Sequence, residues 1–510
     1  MTDALLALVL VGPLVGGLLT WPARGHLADG IAALVAIVVL APAAALAAAA
    51  LGGTITTGFG GVVVVDALSG FTLMVVVLVA LIVLAGSPAY LRHAAHAGWL
   101  RAPDRGRYWA LLLWFVGALM AVPVLDNLGL IWVAIEAATI VAAMLVGFSR
   151  TPAAIEAAWK SLILGSVGIG FALLGTLLAY ASSVGVLGAT SDALAWTRLD
   201  AVSSQLDPGL MRLAFIFVLV GYGTKTGLAP FHTWLPDAHS QAPSPVSALL
   251  SGAALVVSLY ALARFQSIAA GSIGAGLPAT LLIAFGLLSL AVALPFVVAQ
   301  SDLKRLLAYS SIEHMGLATL ALGFGGTLAL GGLVLHLLAH GLTKGSLFLS
   351  GGGIVEAGRS RQILRLGGSI GRAPVNGWAF LAGGLLLCGL PPSALFVSEL
   401  AIVLGGFQQG WGLAAGLAAL LLALTAAGFL FHVARVSWGR GVRTIARDPD
   451  DEDRDPHELV PRSGERRRMA AWLVILATPL LAVAVLGLWT PAPMSTAISR
   501  VVAVLEAPGG

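Results

Sequence analysis

The sequence predicts an all-α polytopic membrane protein with about 14 transmembrane helices. The chain of 510 residues is 58% hydrophobic and only 10% charged, and its mean hydropathy is +0.96, whereas soluble domains carry about a quarter charged residues. Apolar stretches of roughly 17–25 residues match the length of a helix that crosses lipid. The run over residues 111–116 shows no apolar–polar alternation, which argues against the strands of a membrane barrel.

The apolar stretches predict the individual helices, because an unpaired backbone amide in hydrocarbon costs several kcal/mol and each stretch must therefore be helical. Numbered 1 to 14 in chain order, the predicted spans lie near residues 3–21, 29–51, 62–86, 108–125, 128–148, 161–181, 212–229, 246–263, 278–299, 306–323, 328–355, 376–406, 411–434 and 470–490.

The distribution of basic residues predicts the orientation, since cytoplasmic loops hold an excess of Lys and Arg. Of the 28 Lys and Arg residues, 22 fall in predicted inner loops if both termini lie on the outer side. Two, Lys225 and Lys344, lie inside spans, and the outer segments hold four, Arg198, Arg212, Arg264 and Arg500. We therefore expect an integral, multi-pass protein of a bacterial-type inner (plasma) membrane with both termini outside.

Charge and cysteine content exclude several classes of function. The net charge of +4 does not cluster on a soluble domain, so nucleic-acid binding is not expected. Cys388 is the single cysteine, which excludes a disulfide framework, a CxxC redox pair and thiolate-bound iron–sulfur or zinc sites. No cofactor is expected in this chain, and any electron chemistry is expected on a partner chain.

Six ionisable residues within the predicted spans are the candidate functional site. A Lys or an acidic residue at the centre of a span costs about 2.5–3.5 kcal/mol, so its presence indicates function or pairing. A bundle held together by static ion pairs is the structural alternative. The six candidates are Glu136, Lys225, His336, His340, Lys344 and Glu399.

Three of these residues share one face of predicted helix 11. His336, His340 and Lys344 recur every four residues, so they deviate little from one line along the helix. Three protonatable groups stacked over about 12 Å form a chain that water can bridge. A metal site is disfavoured, because no third ligand is evident on that helix.

Two predicted helices contain breaks beside charged residues. Lys225 precedes Gly227-Leu228-Ala229-Pro230, and Glu399 follows Gly389-Leu390-Pro391-Pro392. Proline frees a carbonyl, and a membrane tolerates this only where protein or trapped water satisfies the backbone. The two patterns lie five spans apart, and an odd number of spans reverses topology. This predicts two inverted five-helix repeats, helices 4–8 and 9–13, with broken helices 7 and 12.

These patterns divide the chain into five predicted parts. They are the N-terminal helices 1–3 (residues 1–107), the first repeat (108–263), the second repeat (264–434), a charged cytoplasmic loop (435–469), and helix 14 with an outer tail (470–510).

Two long segments resemble a known superfamily. Residues 221–252, GYGTKTGLAPFHTWLPDAHSQAPSPVSALLSG, and 300–316, QSDLKRLLAYSSIEHMG, resemble the antiporter-like proton-translocating subunits of respiratory complex I, multisubunit cation/proton antiporters and group 4 [NiFe] hydrogenases. The motifs at 127–136, 312–316 and 389–392 are most similar to the F-subunit branch of hydrogenase-4 and formate hydrogenlyase-type complexes.

The resemblance implies a role for each candidate residue. It implies that Glu136 and Lys225 are the coupled acid–base pair of one half-channel, that the helix 11 residues line a central axis, and that Glu399 serves the other half-channel. It also implies partners: other membrane subunits and a peripheral redox arm that carries Fe–S clusters and, in the hydrogenases, a NiFe centre. The transported ion is expected to be H⁺, with Na⁺ as the alternative.

The sequence departs from the family in helix 8, where many members carry a Lys or His that links the two halves. The corresponding span offers serines, such as Ser251 and Ser258, so water or hydroxyl groups are expected to bridge there.

Four other residues are weaker candidates. His232 and His239 are interpreted as loop-ordering residues rather than as groups that take up protons. Asp66 and Lys160 are interpreted as a helix-end charge and as half of a surface ion pair with Glu156, although that pair could also line an inner entrance.

The leading hypothesis is therefore a proton-translocating membrane subunit of a redox-driven complex, without a redox centre of its own. The alternatives are a subunit of complex I or of a multisubunit Na⁺/H⁺ antiporter, a secondary transporter that acts alone, and a membrane scaffold.

Overall fold

The computed structural model describes residues 2–96, 100, 102–441 and 463–506, and these form a bundle of α-helices. The first half of the chain contains a short antiparallel hairpin, β1 (Thr56–Gly58) and β2 (Val63–Val65), between the second and third helices. Its helices are α1 Thr2–Thr20, α2 Gly25–Leu51, α3 Ala67–His96, α4 Ala102–Val124, α5 Leu128–Val146, α6 Pro152–Leu187, α7 Trp196–Ala201, α8 Pro208–Thr226, α9 Trp234–Gln241, α10 Ser244–Leu249 and α11 Leu255–Ile273.

The second half of the chain continues the bundle without strands among the residues described. Its helices are α12 Gly276–Val298, α13 Leu303–Phe324, α14 Gly326–Gly358, α15 Ile363–Leu366, α16 Ser369–Arg372, α17 Pro374–Leu387, α18 Ala394–Gln408, α19 Gly412–Trp438, α20 Ser463–Leu488 and α21 Ala492–Glu506.

Eleven helices of the described chain are long and apolar enough to cross a membrane. The three remaining predicted spans, helices 7, 10 and 12, correspond to α8 with the break that follows it, to α13, and to α17 with α18. Two of these spans thus contain a break, and α13 carries Lys304, Arg305 and Glu313. The class of polytopic helical membrane protein is confirmed, while the count of fourteen spans stays a prediction.

Both predicted breaks occur at a glycine with positive φ. Gly227 ends α8 with φ +83°, and Gly389 follows α17 with φ +62°. Neighbouring groups satisfy the backbone at each break: the Trp234 indole donates to the Thr224 carbonyl at 2.8 Å, and the Ser393 hydroxyl donates to the Leu386 carbonyl at 2.8 Å. The breaks are thus stabilised by protein groups, as a non-helical backbone in lipid requires.

The inverted-repeat assignment stays a prediction, and one parallel supports it. Asn127 caps α5 and pairs with Ala195 after α6, while Asp302 caps α13 and pairs with Gln362 after α14. The equivalent helices of the two predicted repeats, 5 and 10, therefore begin with the same arrangement.

Several helix ends differ from the predicted ones. Predicted helix 8 comprises α10, a π-helical turn over 250–254 and α11, and it runs to Ile273, so the predicted boundary between residues 263 and 264 lies inside α11. The boundary at 107/108 likewise lies inside α4. Part of the predicted loop 435–469, including its acidic run over 448–455, lies outside the described residues, as do residues 507–510.

Candidate site of buried protonatable residues

The first group of candidate residues lies where α5, α6 and α8 meet. Glu136 Oε1 accepts a hydrogen bond of 2.7 Å from the Ser166 hydroxyl of α6, and its Oε2 has no partner among the described residues. Lys225 is buried in the last turn of α8, next to the break. The two residues meet the same stretch of α6, because a Cβ placed on Gly165 would lie 3.5 Å from Lys225 Nζ.

The Lys225 ammonium group is held without a close carboxylate. Its Nζ lies 4.8 Å from the centre of the Trp234 ring, a cation–π contact across the break. Within the described part of the chain, no carboxylate oxygen lies within 4 Å of this Nζ, so Glu136 acts on it through space and not as a contact ion pair.

The second group of candidate residues lies between α13 and α14. Lys344 is fully buried, and its Nζ donates to the Leu307 carbonyl at 2.8 Å and to the Ser310 hydroxyl at 2.5 Å. His340, one turn earlier on α14, is also fully buried, and neither of its ring nitrogens has a hydrogen-bond partner among the described residues. Such unpaired polar atoms indicate sites for water.

A third histidine, which is not one of the six sequence candidates, extends this second group. His314 of α13 lies with its ring centre 5.3 Å from that of His340 and 5.1 Å from that of His336. Its Nδ1 is 3.2 Å from His336 Nε2, and His336 Nδ1 is 3.0 Å from the Ser398 hydroxyl of α18. One ligand atom each of His314, His336 and Glu399 lie within 4.8 Å of one another.

Glu399 faces the break of predicted helix 12. A Cβ on Gly389 would collide with Glu399 Oε2, so the carboxylate rests directly on the glycine backbone. A cavity of about 280 Å³ adjoins it and is lined by Glu313, His314 and Cys388 among others. The cavity places a further buried carboxylate, Glu313, beside the second group.

Glu313 and His314 could have been found from the sequence. Both lie well inside predicted helix 10 and satisfy the criterion that selects the other six, an ionisable group in an apolar span. Because both residues lie within the motif at 312–316, the sequence presents them first as part of a family signature. This makes it easy to miss that they are also ionisable groups within an apolar span.

Helix 8 contacts the second group through a serine. The Ser251 hydroxyl, in the π-helical turn, lies 2.8 Å from the Ser311 hydroxyl of α13. Ser311 in turn donates to the Leu307 carbonyl that also accepts from Lys344. Ser258 instead donates to the Ala254 carbonyl of its own helix. Of the two serines noted in this span, Ser251 is therefore the one that bridges.

The two weaker histidine candidates are buried near the break of predicted helix 7. His239 is fully buried on α9, its ring stacks on Phe348 at 5.0 Å, and neither ring nitrogen has a partner in the described chain. His232 lies edge-on to the Tyr309 ring at 6.5 Å. Phe348 lies one turn beyond Lys344 on α14, so His239 is close to the second group.

The two weaker charged candidates form ion pairs. Lys160 contacts Glu156 at 2.6 Å and Asp237 at 3.3 Å on an exposed surface. Asp66 pairs with Arg264 at 2.5 Å. Burial by itself would raise the pKa of Asp66, but Arg264 and the hydrogen bonds from Ser69 outweigh it, so this pKa is lowered. Asp66 is thus stabilised as a carboxylate, and Arg264, predicted to lie in an outer segment, lies inside α11.

The sequence of the chain matches a known protein family. Residues 126–425, which contain all six candidates, match the family described as NADH:quinone oxidoreductase/Mrp antiporter, transmembrane. The chain belongs to this family. The membership confirms the resemblance seen in the sequence.

Individual relatives place the chain within the family. It is 42% identical over 357 residues to the hydrogenase-4 component F homolog of Methylacidiphilum infernorum, covering 69% of this chain and 74% of that protein. It is 32% identical over 445 residues to NADH-quinone oxidoreductase subunit N of Desulforudis audaxviator, covering 85% and 83%.

A solved structure shows the same fold. A chain of the membrane-bound sulfane sulfur reductase, an archaeal respiratory membrane complex, superposes with a TM-score of 0.82 at 21% identity, covering 99% of this chain and 98% of that chain. Together, the family match, the sequence relatives and this shared fold show that the chain is an integral, multi-pass membrane protein of the antiporter-like family.

Proposed function

We propose that this chain is the proton-translocating membrane subunit of a multisubunit redox-driven complex of the hydrogenase-4 or formate hydrogenlyase type. The observation that carries the proposal is a chain of protonatable side chains, which we call the row. It runs from the buried Lys344 through His340, His314 and His336, which are also buried, to the half-buried Glu399. Membership of the family and the similarity to a hydrogenase-4 component F homolog support it.

The pair of Glu136 and Lys225 loads the row with a proton. Attraction to the Glu136 carboxylate favours the charged form of Lys225, and burial opposes it. A redox event in a partner subunit that weakens this attraction makes Lys225 release its proton. The half-helix break beside Lys225 gives the side chain a polar surrounding at mid-membrane depth.

The proton then moves toward Lys344 and the histidines. The Ser251 and Ser311 hydroxyls, 2.8 Å apart, join helix 8 to the Leu307 carbonyl that holds Lys344. A hydroxyl both donates and accepts, so it can pass a proton by reorienting. Glu399 passes the proton to the outer half-channel.

The surroundings of the chain are part of the proposal. Other membrane subunits and a peripheral redox arm with Fe–S clusters, and with a NiFe centre in the hydrogenase case, supply the driving reaction. The excess of basic residues in predicted inner loops supports a bacterial inner membrane with both termini outside.

The first test replaces the proposed loading pair in the complex reconstituted into vesicles. We expect Lys225→Ala and Glu136→Ala to abolish redox-driven acidification, measured with a pH-sensitive dye, while the complex still assembles. Lys225→Arg should fail as well, because an arginine does not release its proton.

The control for this test is Arg305→Lys, at the partly exposed start of α13, which keeps a positive charge beside Asp237. It should pump normally. Normal pumping by either Lys225→Ala or Glu136→Ala would remove the pair from the mechanism.

A second test separates the proposal from an autonomous transporter. The purified chain alone in vesicles should be inert, whereas a secondary Na⁺/H⁺ exchanger would respond to an imposed ion gradient. Mass spectrometry of co-purifying subunits then discriminates between complexes: a nickel–iron large subunit supports the hydrogenase type, and an antiporter set supports the alternative.

A further inference from the structure

The residues at the end of the row, His314, His336 and Glu399, form a cluster of potential metal ligands. They come from three helices, α13, α14 and α18, and one ligand atom of each lies within 4.8 Å of the other two. Only His336 lies on predicted helix 11, and the other two ligands come from two other helices. Two imidazoles and a carboxylate are a common donor set for Zn²⁺.

The hydrogen bonds around His336 fix which of its two nitrogens carries the lone pair. The Ser398 hydroxyl donates to the Leu395 carbonyl at 2.8 Å, so toward His336 Nδ1 at 3.0 Å it must accept. The ring proton of His336 is consequently on Nδ1, and Nε2 carries a lone pair. A polar partner on the non-ligating nitrogen is a regular feature of histidines that bind metals.

The distance between the two histidines fits a shared ion. Zn–N bonds of about 2.0–2.1 Å in a tetrahedral site hold two nitrogens about 3.3 Å apart. His314 Nδ1 and His336 Nε2 are 3.2 Å apart. Without an ion, His314 Nδ1–H donates to His336 Nε2. When an ion is bound, His314 carries its proton on Nε2 instead, so that the lone pairs of His314 Nδ1 and His336 Nε2 are both available to the metal.

The surroundings leave room for the remaining ligands. Glu399 is half-buried beside the cavity of about 280 Å³, which is large enough for several waters. The cavity has space for a water at the fourth position, and Glu313 also lines the cavity as a second carboxylate. The cluster thus has room for a fourth ligand beside its three side chains.

We propose that His314, His336 and Glu399 bind a divalent transition metal ion, with Zn²⁺ as the best fit, and that the bound ion blocks proton passage. The donor set and the distances support binding. The blocking role rests on the proposed function, because the metal takes the nitrogen lone pairs and the carboxylate through which protons would leave the row.

The test of binding uses Co²⁺, whose tetrahedral complexes absorb strongly in visible light, added to the purified complex in detergent. We expect one Co²⁺ per chain with intense tetrahedral bands, displaced by Zn²⁺. Glu399→Gln keeps the side-chain shape and should weaken binding at least about 10-fold, and Ser398→Ala should weaken it about 10- to 100-fold through the lost partner of His336.

The matched control removes surface histidines. His93→Ala combined with His96→Ala should leave the bands unchanged, because these residues lie in the last turn of α3, away from the cluster. Absence of tetrahedral bands, or bands that persist in Glu399→Gln combined with His314→Asn, would overturn the metal site and would leave the proposed proton function standing.

The test of blocking measures the Zn²⁺ concentration that halves acidification by the reconstituted complex. This Zn²⁺ concentration should match the affinity of the site for Zn²⁺. In the Ser398→Ala variant it should rise about 10-fold or more. If Co²⁺ binds at the cluster but Zn²⁺ does not inhibit at saturation, protons do not leave through these residues, and the last step of the proposed function is overturned along with the blocking role.

Discussion

At the residue scale, a pair of hydroxyl groups joins predicted helix 8 to α13. The Ser251 and Ser311 hydroxyls lie 2.8 Å apart, in the helix where the family resemblance leads us to expect a lysine or histidine. A hydroxyl pair can carry a proton without the cost of burying another charge, which is about 2.5–3.5 kcal/mol on insertion scales. Proton transfer through this pair depends, however, on both hydroxyls being present.

Removing either hydroxyl should therefore slow proton translocation. We expect Ser311→Ala and Ser251→Ala each to lower redox-driven acidification about 10-fold, and the double variant to be no worse than either single one, because both interrupt the same link. Acidification per unit of substrate turnover in vesicles is the measurement.

The control is Thr319→Val on the same helix. Thr319 is fully buried, and its hydroxyl donates to the Met315 carbonyl of α13, so its loss should leave pumping unchanged. Additive losses in the Ser251/Ser311 double variant would show that the two serines do not act as one link.

At the element scale, the break between α17 and α18 positions Glu399. Gly389 has φ +62°, and its missing side chain makes room for the Glu399 carboxylate. Gly389→Ala should both strain the backbone, by about 1–2 kcal/mol, and displace Glu399. We expect proton translocation to be lost even where the complex assembles, as measured in vesicles.

The Gly410→Ala variant separates the two effects of Gly389→Ala, which are backbone strain and displacement of Glu399. Gly410 has φ +83°, and no atom of the described residues lies within 4 Å of the position that an added Cβ would take. Alanine there should lower thermal stability but leave pumping intact. Equal loss of pumping in both variants would mean that backbone strain, and not the position of Glu399, accounts for the defect.

At the scale of the whole molecule, a buried ion pair joins the N-terminal part of the chain to α11, which spans the predicted boundary between the two repeats. Asp66, immediately before α3, pairs with Arg264 of α11, and the guanidinium group also lies 3.7 Å from the centre of the Trp196 ring. Removing one partner of such a pair leaves an uncompensated buried charge. Loss of one partner is therefore expected to destabilise the bundle.

Asp66→Asn should destabilise the protein by about 3–5 kcal/mol, seen as a lower melting temperature in detergent. Pumping by the fraction that remains folded should be normal, since Asp66 is outside the row. Glu156→Gln, which breaks an exposed pair with Lys160, is the matched control and should change the melting temperature little. Lost pumping at full stability would instead place Asp66 in the proton path.

Several features of this molecule can be predicted from local signals in its sequence. Composition and span length determine the polytopic helical class, because lipid offers no hydrogen bonds and the chain must form helices. The glycine–proline patterns determine where predicted helices 7 and 12 break, and the cost of buried charge selects Lys225, Lys344 and the carboxylates. These signals are local, so they can be recognised in one stretch of chain.

Only the tertiary structure decides which of these groups meet. No local pattern pairs His314 with His336, Ser251 with Ser311, or Asp66 with Arg264, since each pair joins different elements of the bundle. Side-chain contacts between helices depend on how the helices pack and rotate against one another, and a single stretch of chain does not specify this. The row and its metal-binding geometry are therefore properties of the packed bundle.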